Sequence, residues 1–346
     1  MPAQRIDIEQ FLSFALLHPV LDVRSPGEFN HAHIPGALSF PLFTDKERKI
    51  VGTAYKQKSR EEAIKIGLDF FGPTLKQRVQ EAERIANGSK ILLVHCWRGG
   101  MRSAVISWLL DLYGFKIYTL SGGYKAYRNW VLEQFKKNYS FQLIGGYTGS
   151  GKTELLNQVK KEGQRVIDLE ALAGHKGSAF GNIGLPPQPG QEQFENKLAR
   201  ALQDCVQANH SAAIWLEDES QRIGTVNIPN DLWATMRRSP VYFLDIPFEK
   251  RLQHIVVEYG QLDRDAVTAA IARITKKLGH QQAQQSIDFL QENNTMACFS
   301  ILLRYYDKFY ARSLQNREGL EKLLTAIPSN QTGAGNVVSL LEVKKV

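Results

Sequence analysis

The chain has 346 residues, 43% of them hydrophobic and 23% charged, with a formal net charge of +8. Such a length exceeds one ordinary core, so two domains are the default, and such a composition excludes a disordered or collagen-like chain. The positive balance favours a polyanionic partner such as nucleic acid, and the absence of a long apolar run excludes a helix that spans a bilayer.

Met1 to Gln10 carries no basic region followed by an apolar stretch, so no signal peptide is expected. The three cysteines, Cys96, Cys205 and Cys298, have neither metal-knuckle nor redox-motif spacing. Reduced thiols in a cytoplasmic, non-membrane protein are the expectation.

Asp7 to Leu17 reads as a short amphipathic helix. Leu21-Asp22-Val23-Arg24 reads as a buried strand ended by Ser25-Pro26-Gly27, and His33-Ile34-Pro35-Gly36-Ala37 as a turn leading into Leu38 to Leu42. Ser59 to Ala86 is helix-rich with a break at Gly72-Pro73. Ile91 to Val94 has the continuous apolar character of a central parallel strand, with Cys96 at its carboxyl end. A helix over Arg102 to Leu112, a strand over Lys116 to Leu120, the turn Ser121-Gly122-Gly123 and a helix over Tyr124 to Lys136 follow.

The segment His95-Cys96-Trp97-Arg98-Gly99-Gly100-Met101-Arg102-Ser103 joins that strand to that helix. Loop amides and a helix N-terminus favour negative charge at the sulfur, and Arg98 and Arg102 add positive charge. Both effects depress a thiol pKa and favour the nucleophilic thiolate. Gly99 and Gly100 let the loop curl. A buried structural cysteine is the plain alternative. The same residues also satisfy the H-C-x5-R-S/T pattern of cysteine phosphatases, in which the arginine grips phosphate bidentately.

Asp22-Val23-Arg24-Ser25-Pro26-Gly27-Glu28-Phe29, His33-Ile34-Pro35-Gly36-Ala37, Cys96 and Leu120-Ser121-Gly122-Gly123, in that order, resemble a rhodanese domain over roughly residues 5 to 136. That resemblance implies a cysteine that carries a transferable sulfur or selenium atom.

A second loop, Gly146-Tyr147-Thr148-Gly149-Ser150-Gly151-Lys152-Thr153, is a complete G-x-x-x-x-G-K-T phosphate-binding pattern. Phe141 to Gly145 reads as the strand before it and Thr153 to Lys161 as the helix after it. The amides of Gly146, Gly149, Ser150 and Gly151 are expected to cradle a diphosphate, Lys152 to neutralise it, and Thr153 is a candidate magnesium ligand. Strands are expected at Arg165 to Asp168, Ala213 to Glu219 and Val241 to Asp245. Glu217 or Asp218 resembles the acidic end of a Walker B strand, with a solvated acidic turn as the alternative. His175 and Lys176, in a glycine-rich stretch, suit a substrate loop or an inert surface loop. From about Arg251 the chain reads as helical. Met296 to Leu314 interleaves aromatic and basic residues, which suits base stacking and phosphate contact or else a core helix with one basic face. The tail, Ser329 to Gly335, is expected to be loose.

The expectation is therefore an α/β protein of two parallel-sheet domains. One is rhodanese-like, over 1–137; the other is P-loop NTPase-like with a helical C-terminal part, over 138–346. A rhodanese-like segment followed directly by this P-loop is similar to the tRNA 2-selenouridine synthase family. Asp168-Leu169-Glu170, Gly174 to Gly181 and Glu217 to Gly224 support the likeness. The resemblance implies a transferase that replaces sulfur by selenium in wobble 2-thiouridine of tRNA, with selenophosphate as donor. It also implies an S-geranyl intermediate made from geranyl diphosphate, and a selenophosphate synthetase as a partner. Cys96 then serves selenium delivery, as carrier or as nucleophile toward the base, and Arg98 and Arg102 hold phosphate. A phosphatase of rhodanese fold joined to a kinase-like P-loop domain is the alternative.

Overall fold

The computed structural model describes residues 3–208 and 213–343. Met1 and Pro2 of the first expected domain and 344–346 of the second lie outside the described residues. The chain divides into two compact units, Met1–Gln134 and Phe135–Val346.

In the first unit five strands form one parallel sheet. They are β1 (Gln4–Ile6), β2 (Val20–Asp22), β3 (Leu38–Ser39), β4 (Ile91–His95) and β5 (Lys116–Leu120), in the spatial order β1-β5-β4-β2-β3. Central β4 buries Leu92, Leu93 and Val94 completely, as a strand covered on both faces must. Leu21, Val23, Phe40, Ile106, Leu110 and Ile117 complete the core beside it. The helix Met101–Leu112 starts directly after the cysteine loop, with buried Ile106 and Leu110 one turn apart. Two helices go unread in the sequence. Pro26–His31 starts where a strand end was expected, because Ser25 and Glu28 form a reciprocal capping box. Asp45–Gln57 begins on a second such box, Thr44 with Glu47.

In the second unit β6 (Phe141–Gly146), β7 (Arg165–Val166), β8 (Ile214–Glu217), β11 (Val241–Asp245) and β12 (Leu324–Pro328) form a parallel sheet in the order β12-β11-β6-β8-β7. A short antiparallel pair, β9 (Arg222–Ile223) and β10 (Val226–Asn227), stands apart from it. Ile144, Leu155, Leu156, Trp215 and Leu244 pack the helix Lys152–Lys161 on the sheet. A helical layer follows β11, with helices Phe248–Tyr259, Arg264–Leu278, His280–Gln291 and Thr295–Gln315. Leu252, Ile271, Cys298, Phe299 and Leu302 form its own apolar core.

Three expectations change here. The strand read over Arg165 to Asp168 ends at Val166, because the Asp168 carboxylate caps the helix Leu169–Ala173. The helical reading from Arg251 does not run to the end, since β12 returns to the sheet edge beside β11. The tail is not loose among the described residues. It forms a short helix, Gly333–Asn336, and the Gly333 amide donates to the Ser150 carbonyl at 3.0 Å. A side chain at Gly151 would meet the Gly333 nitrogen at 2.4 Å, so both glycines permit this approach. Among the described residues no helix is long and apolar enough to cross a membrane.

Candidate functional sites

Cys96 is buried at the end of β4, one residue beyond its last strand position. Its sulfur lies 3.3 Å from the Ser103 hydroxyl and accepts the Gly100 amide at 3.3 Å. Burial by itself would raise the thiol pKa. Hydrogen bonding by Ser103 and by the Arg98 and Gly100 amides outweighs it and holds the thiol below its ordinary value. The Ser103 hydroxyl has one proton and two acceptors, the sulfur and the Gly100 carbonyl at 2.9 Å. Ser103→Ala is therefore expected to move the pH midpoint of Cys96 alkylation by iodoacetamide upward by about one pH unit, one charge-assisted hydrogen bond being lost. An unchanged midpoint would leave the backbone amides as the whole cause.

The turn after β5 closes against this loop. The Tyr124 amide donates to the Cys96 carbonyl at 2.8 Å and the Lys125 amide to the Trp97 carbonyl at 3.0 Å. A side chain at Gly123, where φ is +60°, would meet that Cys96 carbonyl at 2.3 Å, which explains the glycine pair. Behind the loop Asp22 and Arg24 form a buried bidentate pair, with contacts of 2.5 to 3.0 Å, and the Arg24 guanidinium stacks on Tyr124 at 3.8 Å. Burial would raise the Asp22 carboxyl, but His95 and Arg24 outweigh it and hold it low. His95 is fully buried with neither ring nitrogen in a hydrogen bond, its Nε2 lies 3.7 Å from the Asp22 carboxylate, and burial outweighs that charge and keeps its pKa low. The expected arginines behave differently from one another. Arg98 is exposed and reaches the sulfur through its amide. Arg102 is held by Glu28 at 2.6 Å.

The phosphate loop follows β6 as its sequence requires. Gly146, Gly149 and Gly151 take φ of +145°, +82° and +73°, a region that favours glycine. Lys152 donates to the Gly146 carbonyl at 3.2 Å, which leaves donors of its ammonium for a ligand. Arg251 fixes the loop from outside, with one nitrogen on the Thr148 carbonyl at 3.0 Å and a bidentate grip on Asp307. The Gly146 amide donates to the Tyr310 hydroxyl at 3.2 Å, which donates to Asp218 at 2.9 Å. Arg317 holds the other Asp218 oxygen.

The two acids at the end of β8 thus part company. Asp218 is anchored by Tyr310 and Arg317, whereas Glu217 accepts from Thr153 and keeps Oε1 buried without a partner. Burial, opposed by Lys152 and helped by Glu219, lifts Glu217 to about 7. Glu170 rises to about 10, through burial and the charges of Glu219 and Glu217. Glu170 and Glu219 converge at Gly177, where a side chain would meet their oxygens at 2.6 and 2.9 Å. They stand in segments that resemble the family, yet nothing in their local spacing marks them as neighbours.

A cavity of about 620 Å³ opens over the phosphate loop. Lys152, Thr153, Glu170 and Glu217 line it, as do Tyr259, Tyr305, Tyr306, Phe309 and Tyr310. Lys176 also lines it, bonded to Glu258 at 2.8 Å. His175 is buried outside that lining, its Nδ1 unpartnered. Thr153 and the open Oε1 of Glu217 are the groups that fit a magnesium ion. Among the described residues no cluster of three His, Cys, Asp or Glu holds a metal alone. An ion here would need phosphate oxygens to complete its shell.

A family model described as the tRNA 2-selenouridine synthase AAA domain matches residues 139–325, and one described as a rhodanese-like domain matches residues 7–129. The chain is 33% identical to a tRNA 2-selenouridine synthase of Nitrosomonas europaea, over 86% of this chain and 90% of that one. It is 34% identical to one of Shewanella denitrificans, over 92% and 94%.

Proposed function

The chain belongs to the tRNA 2-selenouridine synthase family, and from that premise we propose that it is a transferase that exchanges sulfur for selenium in wobble 2-thiouridine of tRNA. The observation that carries the detail is the cavity over the phosphate loop. It sets a diphosphate cradle with Lys152 beside an aromatic wall. Such a pairing suits a prenyl diphosphate, here geranyl diphosphate: charge at one end and an apolar chain at the other.

The chemistry runs in two substitutions. The base sulfur attacks the first geranyl carbon, the carbon–oxygen bond breaks, and diphosphate leaves with the electron pair. Lys152 and the loop amides stabilise that charge as it develops. The ionised Glu217 would take the proton that the base loses, and a magnesium ion held by Thr153 and phosphate oxygens would add charge to the leaving group. Sulfur now leaves as a thiol, a better leaving group than before.

Cys96 serves the second substitution. Its thiolate adds at carbon 2 and expels geranyl thiol; selenium of selenophosphate then displaces Cys96. Hydrolysis of the phosphorus–selenium bond leaves 2-selenouridine and phosphate. No step changes an oxidation state. A cysteine that carried selenium as a selenosulfide would need an oxidant, since selenophosphate holds selenium at the selenide level. A selenophosphate synthetase would supply the donor.

The test is mass spectrometry of nucleosides from 2-thiouridine-containing tRNA incubated with the protein, geranyl diphosphate and selenophosphate, separately and together. An S-geranyl product with the first alone, converted to 2-selenouridine with both, is expected. Unchanged tRNA together with hydrolysis of an aryl phosphate would give the chain to the phosphatase reading instead.

A further inference from the structure

A second groove, of about 540 Å³, lies on the helical layer of the second unit. Lys277, Arg304, Lys308 and Arg312 line it together with Tyr305 and Phe309, and no Asp or Glu does. Lys277, Tyr305 and Phe309 also line the cavity over the phosphate loop, so the two spaces adjoin across these side chains.

Arg304, Lys308 and Arg312 recur at every fourth position of the helix Thr295–Gln315 and form one stripe. Successive charges are about 6 Å apart along the axis, of the order of the distance between neighbouring phosphates on a nucleic-acid strand. All three are exposed, and among the described residues none of them, nor Lys277, forms an ion pair. Like charges at this spacing oppose one another and cost helix stability. Arg304 rests over the Phe248 ring at 4.5 Å and Arg312 over the Phe309 ring at 6.0 Å, but no carboxylate offsets the cost, and an anionic ligand would. Beside it Phe309 is 40% exposed, its ring 4.7 Å from that of Tyr305, which offers a face to a base.

We propose that this groove docks a single-stranded segment of the RNA substrate, with phosphates on Arg304, Lys308 and Arg312 and a base on Phe309. The strand then runs toward the phosphate-loop cavity with its reactive base. This inference rests on the proposed function only for what happens inside that cavity.

The test uses the full chain and a tRNA anticodon stem–loop bearing 2-thiouridine, with binding read by fluorescence anisotropy at several salt concentrations. The triple variant Arg304→Gln, Lys308→Gln, Arg312→Gln removes the charges while keeping unbranched polar side chains of similar helix propensity. It is expected to weaken binding at least about tenfold and to lower the salt slope by about two, three single-strand phosphate contacts being lost. Arg304→Lys with Arg312→Lys is expected to restore both. Phe309→Leu is expected to weaken binding about fivefold or more with the slope unchanged. It keeps the test alive if circular dichroism shows the triple variant unfolded. Stabilisation by geranyl diphosphate, read as a rise in Tm, is expected to be the same in the triple variant as in wild type, since none of its three positions lines the phosphate-loop cavity. Wild-type affinity and slope in a folded triple variant would overturn the proposal and leave the stripe to an acidic protein surface. A wild type that binds the RNA through the stripe but gains nothing from geranyl diphosphate would instead count against the proposed function alone.

Discussion

Cys96→Ala is expected to leave S-geranyl formation within about twofold of wild type and to lower conversion to 2-selenouridine by at least about 10³-fold, the scale of losing a nucleophile. What the first unit does is lower the thiol pKa of Cys96. Burial at the end of β4 opposes ionisation, and Ser103 with the Arg98 and Gly100 amides reverses that opposition. The alanine variant keeps the loop, since the Cys96 carbonyl, not its side chain, receives the Tyr124 amide. Nucleoside mass spectrometry reads both steps from one incubation. Equal loss of both steps would refute the division of labour between the units. A denatured variant would show itself by loss of the cooperative thermal transition.

Lys152→Ala is expected to lower geranyl transfer by about 10² to 10³-fold, the usual effect of removing one preorganised group from a developing oxyanion. A second effect follows from the acids beside it. Lys152 does most to hold Glu217 and Glu219 down against burial, with hydrogen bonds from Thr153 and the Ser220 amide adding to it. Glu217 stands at about 7 in the wild type, so its carboxylate forms as pH rises through neutrality. Without Lys152 that ionisation moves to higher pH. The ascending limb of the alkylation pH profile, expected near 7 in wild type, should therefore move alkaline in the variant. Glu217→Gln should remove the limb. A limb that stays in place in Lys152→Ala would assign the proton transfer to another group. The selenation step, supplied with S-geranyl RNA made separately, is expected to be unaffected by Lys152→Ala.

The structure of the two glycine-bearing loops was legible because its logic is local. A strand, a glycine-bearing loop and a helix follow one another along the chain at both Cys96 and Lys152, and backbone geometry does the rest. Helix starts were less legible where capping boxes hid among turn-like residues, as at Ser25 and Thr44. Segments whose partners are remote were read wrongly or left open. The tail looked loose because its polar, glycine-containing residues bury little of themselves. Its order comes from the Ser150 carbonyl, far back along the chain.

By itself the sequence determined the fold class, the two loops and the family, because periodicity, glycine placement and motif spacing are properties of neighbouring residues. Tertiary structure alone decided which acid faces the phosphate loop. Glu217 and Asp218 are adjacent and chemically alike, yet Tyr310 and Arg317, 92 and 99 residues away from Asp218, claim that one and leave Glu217 to Thr153. It likewise set Glu28 on Arg102 across 74 residues and brought Glu170 to Glu219 beside Gly177. Charge pairing and desolvation depend on distance in space, and only the packed chain sets that distance.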